Sequence, residues 1–111
     1  MLLKNDFSPA ELRLIVVLLD HEGKENSIKS KEIEKSLSLK GSQVRELVHL
    51  LRIKGVPVGS GQTGYFLCGN EEEQIHTINQ LTSRKKQIEA AISGMNHRCY
   101  NRLNFRKEIL S

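Results

Sequence analysis

Few side chains in this sequence are spaced for catalysis. The four histidines, His21, His49, His76 and His97, and the two cysteines, Cys68 and Cys99, share no spacing that would hold a metal ion. His76 follows Glu72 and Glu73 on an acidic helix start, a setting that reads as solvated surface. Cys99 has His97 nearby but no third group to orient the base, which nucleophilic chemistry needs. No catalytic residue, metal or cofactor is therefore assigned, and the chain is not expected to be an enzyme. Gly59-Ser60-Gly61-Gln62-Thr63-Gly64 matches G-x-G-x-x-G literally. A dinucleotide site needs a strand before that loop and a helix after it, so that the helix start meets the pyrophosphate. Here a helical pattern precedes the loop and the strand-like Tyr65-Phe66-Leu67-Cys68 follows, so the nucleotide reading fails.

The chemistry that the spacing does support is recognition by hydrogen bonding. Val44, Leu47, Val48 and Leu51 recur as one apolar helical stripe. Burying them leaves Ser42, Gln43, Arg45, Glu46, His49 and Arg52 on the outer face. Arginine can make paired hydrogen bonds to guanine and glutamine to adenine, and the first residues of a groove-lying helix reach base edges most readily. Ser42, Gln43 and Arg45 are thus candidate readers, and His49, one turn on, can meet a base or a phosphate. Lys40, Arg52 and Lys54 read as phosphate contacts, which position without specifying. Glu46 fits poorly against a phosphate, but it can orient His49 three residues on. The competing reading of the whole face is plain solvation.

Those residues need a frame, and Gly41–Cys68 outlines one. Gly55 ends the helix, and Pro57 prevents the chain from rejoining it. Val58 and Tyr65-Phe66-Leu67 flank a glycine-rich tip, the pattern of a β-hairpin, whose glycines would let it approach a backbone closely. Ser60, Gln62 and Thr63 on that tip are candidates to touch phosphate or the minor groove. Upstream, Ser8-Pro9-Ala10-Glu11 is a capping box with proline in the first turn. The run from Leu12 to about Asp20 is apolar almost all round. A buried strand competes, but the capping box favours a helix, expected to be the most buried of the chain. Residues 1–7 read as frayed or lightly packed. His21–Asn26 is a polar loop, and Ser27-Ile28 is a possible short strand against the hairpin. Ser30 can cap a second helix from Lys31 to about Leu37, with Ile33 and Leu37 inward. Ser38-Leu39-Lys40-Gly41 is then a turn, Leu39 filling the space between helices, and Gly41 or Ser42 starts the next helix. Two short helices joined in this way make a helix-turn-helix. The fold class expected is mainly α with a small β-hairpin: a winged helix-turn-helix plus a long C-terminal helix.

Gly55-Val56-Pro57-Val58 followed by Gly64-Tyr65-Phe66-Leu67, after Val44, Leu47 and Leu51-Arg52, resembles the N-terminal winged-helix module of biotin-operon-repressor-type proteins. It is similar also to small winged-helix proteins of phages and prophages of Gram-positive bacteria. The resemblance covers roughly residues 8–68. It implies binding of double-stranded DNA through residues 42–52 and the hairpin. A chain of this length has no room for a biotin-handling catalytic domain, and ligase activity is not expected.

Charge and the C-terminal third bear on partners. The net +4 is uneven: residues 1–27 carry −2, residues 28–68 carry +4, residues 69–96 carry −1 and residues 97–111 carry +3. Positive charge on the reading module and on the tail suits a polyanion; ordinary surface lysine is the alternative. Asn70-Glu71-Glu72-Glu73 opens a last helix, capped by Asn70 with Glu73 closing the box. It should run to about Ser93 or, past Gly94, to Tyr100, a span of about 38 Å. Ile78, Leu81, Lys85, Ile88, Ile92, Met95 and Cys99 alternate steps of three and four, a heptad seam with one defect at Lys85, and Ile75 extends its start. Ile78, Leu81, Ile88, Ile92 and Met95 are the expected dimerisation residues; the alternative packs only the first turns and leaves the rest solvated. The domains expected are 1–69, a winged helix; 70–98, the long helix; and 99–111, a basic tail that reads equally as a disordered arm on phosphates or a short amphipathic segment docking a partner.

No apolar run approaches the ~18 residues of a membrane span, and the start lacks a signal peptide's basic segment and cleavage site. Two lone cysteines read as reduced thiols. A cytoplasmic, small dimeric transcriptional regulator of phage or prophage type is the resulting expectation, with a replication-accessory role using the same surface. The alternative from another class is a protein-interaction module, such as a phage-encoded inhibitor of or adaptor to a host protein, in which the long helix or the basic tail binds the partner and the winged helix is scaffold.

Overall fold

The computed structural model describes residues 4–97 and 102–111. The chain divides into two compact units, Met1–Ile78 and Asn79–Ser111.

In the first unit three helices and a two-stranded hairpin enclose one core. Helix α1 (Pro9–Leu19) begins at the Ser8 cap. Ser8 Oγ accepts the Glu11 N–H at 3.2 Å, and Glu11 Oε1 accepts the Ser8 N–H at 2.6 Å. This local chemistry favours helix over the strand preference of Ile15, Val16 and Val17. The helix is not the most buried of the chain: Leu14 and Leu18 are fully buried, but Val16 and Leu19 are 64% and 62% exposed. Its neighbours α2, α3 and β2 cover one face only, too little protein to surround it. Helix α3 buries more, through Val44, Leu47, Val48 and Leu51.

Helix α2 (Ser30–Leu37) starts one residue earlier than expected, and Ser30 does not cap it. Ile28 exchanges both backbone hydrogen bonds with Tyr65, at 2.8 Å each, which keeps the chain extended through Lys29, the N-cap residue. Ser30 Oγ instead donates to Glu34 Oε2 at 2.9 Å. The helix ends at Ser38, whose φ of 55° puts a non-glycine residue in the left-handed region. Ile33 is buried, and Leu37 and Leu39 pack against the core. Helix α3 (Gly41–Ile53) follows after Lys40. Gly55, at φ 93°, closes it, and Val56 N–H returns to Leu51 O at 2.9 Å.

Strands β1 (Val58–Gly61) and β2 (Gly64–Leu67) pair antiparallel, Val58 opposite Leu67 and Gly61 opposite Gly64, so Gln62-Thr63 form the tip. The outer edge of β2 is bridged to Glu22 and Ile28. The expected short strand at Ser27-Ile28 is therefore a single bridge, and the loop before it, with a 3₁₀ turn at Lys24–Asn26, adds a second. Leu14, Leu18, Ile28, Ile33, Val44, Leu47, Val48, Leu51 and Val58 form the core. Phe7 is partly buried and packs against it, in line with the lightly packed alternative for this segment; residues 1–3 lie outside the described residues.

Helix α4 (Glu71–His97) begins inside the first unit. Asn70 Oδ1 caps it by accepting the Glu73 N–H at 2.8 Å. Glu73 does not reach back to Asn70: its two oxygens accept the Gly69 N–H at 2.8 Å and the Lys24 N–H at 3.0 Å. Both bonds hold the Glu73 carboxyl below the usual carboxylate range, the one from Gly69 more strongly. Thr77 is buried, with Cys68 Sγ 3.7 Å from its hydroxyl.

The second unit comprises the rest of α4 and helix α5 (Arg102–Leu110). Between the two open readings of the tail, the described part is helical; Cys99 and Tyr100 lie outside the described residues. Leu81, Ile88, Ile92 and Met95 are exposed, as is Ile78 at the end of the first unit. None of the described helices is long and apolar enough to cross a membrane.

Candidate functional site

The outer face of α3 is laid out as its apolar stripe requires. With Val44, Leu47, Val48 and Leu51 turned into the core, Ser42, Gln43, Arg45, Glu46 and His49 are exposed. Ser42, Arg45 and His49 form no side-chain hydrogen bond or ion pair with any of the described residues. Gln43 differs: its Oε1 accepts the Lys40 N–H at 2.8 Å, so in this arrangement it serves as a helix cap. Two carboxylates share the neighbourhood. Glu34 and the Arg45 guanidinium both approach Gly41, lying 3.4 and 3.7 Å from where a Cβ on that glycine would stand. Glu46 is exposed on α3 and forms no bond with His49 among the described residues.

The two cations at the other end of α3, expected as phosphate contacts, both have partners within the chain. Arg52 Nε donates to Val58 O at 2.8 Å, and its Nη2 donates to Ser60 Oγ at 3.2 Å. Arg52 thus clamps the helix to the first hairpin strand. Lys54 Nζ sits 2.7 Å from Glu11 Oε1 and 2.8 Å from Asp6 O, and lies 5.5 Å from the Phe7 ring centre. Glu11 is 2% exposed, a carboxylate inside a core that periodicity gives no reason to expect there. The Lys54 ammonium, and then the Ser8 N–H, hold its carboxyl below the usual range against the opposing effect of burial. A basic residue just after an apolar stripe looks the same in sequence whether it faces solvent or a buried acid. The capping box at Glu11 was the available signal, because capping fixes that carboxylate at the base of α1.

On the hairpin, Ser60 accepts from Arg52 and Thr63 Oγ1 accepts from Ser27 Oγ at 2.7 Å, while Gln62 stands exposed at the tip. The glycines serve internal packing first. A Cβ on Gly59 would lie 2.4 Å from the Phe66 ring, and one on Gly64, at φ 125°, 2.1 Å from Ile28 O. Only around Gly61 is there open space.

Sequence reasoning passed over Lys29, Lys31 and Lys35, all exposed around α2. With Lys40 and Arg45 they are the basic side chains of residues 28–68 that point to solvent. Lys29 and Ser30 also line one side of an open groove of about 280 Å³, whose other side is the hairpin from Ser60 to Tyr65. The positive balance of this segment was visible; which of its cations were available depended on the fold. Among the described residues, no three of His, Cys, Asp and Glu gather closely enough to hold a metal ion. Searches against protein-family models, curated proteins and solved structures return no match for this chain.

Proposed function

We propose that the first unit is a winged helix-turn-helix that binds double-stranded DNA, with α3 in the major groove and the hairpin as the wing, and that the protein acts as a small dimeric transcriptional regulator. The observation that carries this reading is the outer face of α3. Ser42, Arg45 and His49 project from a helix whose opposite face is fully committed to the core, and their polar atoms have no partner among the described residues. Arg45 carries the paired donors suited to guanine. Lys29, Lys31, Lys35 and Lys40 supply positive charge around it for phosphates, and Ser60, Gln62 and Thr63 stand on the hairpin beside the α2 groove.

A second reading rests on the carboxylates of Glu34 and Glu46, which lie next to the same face and suit a basic protein surface better than a phosphate. In that reading the unit is a protein-interaction module that meets a partner through this face. Selection of bound duplexes from a random DNA pool at two salt concentrations separates the two. A palindromic consensus whose affinity falls steeply with salt supports the regulator. Arg45→Ala should then cost about 1–3 kcal/mol of binding and relax the preference at one base pair. Absence of binding at both salt concentrations overturns the DNA reading in favour of a protein partner.

A further inference from the structure

We propose that α4 pairs with α4 of a second copy as a parallel, in-register, two-stranded coiled coil, in which Arg84 of each chain faces Glu89 of the other. The inference rests on the dimeric part of the proposed function and adds orientation, register and the residues that set them.

Ile78, Leu81, Lys85, Ile88, Ile92 and Met95 follow one another at steps of three, four, three, four and three along one uninterrupted helix. Such a repeat keeps one seam facing a partner when two helices supercoil. The apolar members are between 36% and 77% exposed, so a large apolar stripe is left uncovered within the single chain. Ile78, Lys85 and Ile92 occupy one core position of the heptad, and Leu81, Ile88 and Met95 the other. Isoleucine at the first core position with leucine at the second, as at Ile78 and Leu81, favours two parallel strands, whereas Ile88 at the second position favours more, so the lysine layer and the flanking charges carry the choice of two. One lysine among the first-position residues selects register and oligomeric state at some cost in stability. Lys85 fills that role, and its ammonium lies 3.9 Å from Glu89 of the same helix, so a counter-charge stands at the edge of the seam.

The flanking residues settle the occupant and the direction. Arg84 precedes the lysine layer on one edge, and Glu89 follows on the other edge, five residues later. In a parallel, in-register pair, residues so placed face each other between chains, giving two Arg–Glu contacts related by symmetry. In an antiparallel pair each edge meets its own kind, and Arg84 gains no carboxylate. The pattern is self-complementary: the seam and both charges come from one sequence, so a second copy satisfies them all. In this arrangement residues 1–70 of both copies join the coil at the same end.

The test uses the full chain without DNA, so its failure leaves the duplex-reading surface unaffected. Sedimentation should give a dimer. Arg84→Glu and Glu89→Arg should each weaken the dimer about tenfold by placing like charges across both edges, and the double variant should recover most of the loss. Helicity by circular dichroism checks that each variant is folded. In a Cys68→Ser, Cys99→Ser background, Ile92→Cys should form a disulfide between like positions under oxidation, which an antiparallel pair would not permit. A monomer in sedimentation, additive losses in the double variant, or no cross-link at position 92 in a confirmed dimer would each overturn the proposal.

Discussion

Lys54→Met removes the ammonium that neutralises Glu11 while keeping most of the aliphatic stem beside Phe7. The loss is therefore of charge more than of packing. Glu11 is 2% exposed and loses the partner at 2.7 Å, keeping the Ser8 N–H at 2.6 Å. Leaving one member of a fully buried pair alone costs ~3–5 kcal/mol. The Lys54 side chain is 34% exposed, so water reaches the site and screens the pair, and about 2 kcal/mol is the expected cost. In a unit of this size that lowers Tm by about 10 °C. Thermal unfolding followed by circular dichroism at neutral pH measures it, within a double-mutant cycle that includes Glu11→Gln. The acid limb gives an independent check. The folded-state pKa of Glu11 lies below its ordinary value of 4.5, so its stabilising contribution is present above that value and is lost as pH falls through the lowered one. The wild-type and Lys54→Met curves of Tm against pH should therefore converge in acid. A Tm change under about 2 °C, or single effects that simply add, would refute the assignment of Lys54 as a structural cation.

Two further perturbations probe the frame. Arg52→Ala should cost about 1–2 kcal/mol in urea unfolding, because Val58 O and Ser60 Oγ lose a charged donor at the junction of α3 and β1. A variant as stable as wild type would mean that the clamp contributes nothing. Gly64→Ala should destabilise by about 3 kcal/mol or more, since its Cβ would lie 2.1 Å from a backbone carbonyl at a positive φ. Gly61→Ala, in open space, should stay within about 0.5 kcal/mol; equal effects at the two positions would contradict the hairpin geometry.

Local rules made most of the architecture legible in advance. The capping box at Ser8, the four-residue stripe of α3, the glycine stop at Gly55 and the Asn70 cap each act over a few residues, and each appears where the pattern places it. What escaped depends on contacts between distant segments. Lys54 meets Glu11 across 43 positions, and Lys24 meets Glu73 across 49; no periodicity reports such pairs. The α2 start moved because Ile28 bridges to Tyr65, a tertiary event that overrode the serine signal. For the candidate site, the face of α3 was readable because burial of one side defines the other. The internal partners of the basic residues were not, because a basic side chain can equally serve a carbonyl, as Arg52 does with Val58.

The internal partners of Arg52 and Lys54 also bound how the proposed DNA binding would respond to salt. Each phosphate neutralised releases about 0.9 of a condensed counterion, so the slope of log affinity against log salt counts cations engaged. Residues 28–68 bear seven basic side chains, of which Lys29, Lys31, Lys35, Lys40 and Arg45 face solvent. The exposed cations of residues 28–68 therefore sustain a slope no steeper than about −4.5 per chain. A steeper one would assign the excess ions to cations beyond that segment, and the stoichiometry of displaced salt would count how many of them touch DNA.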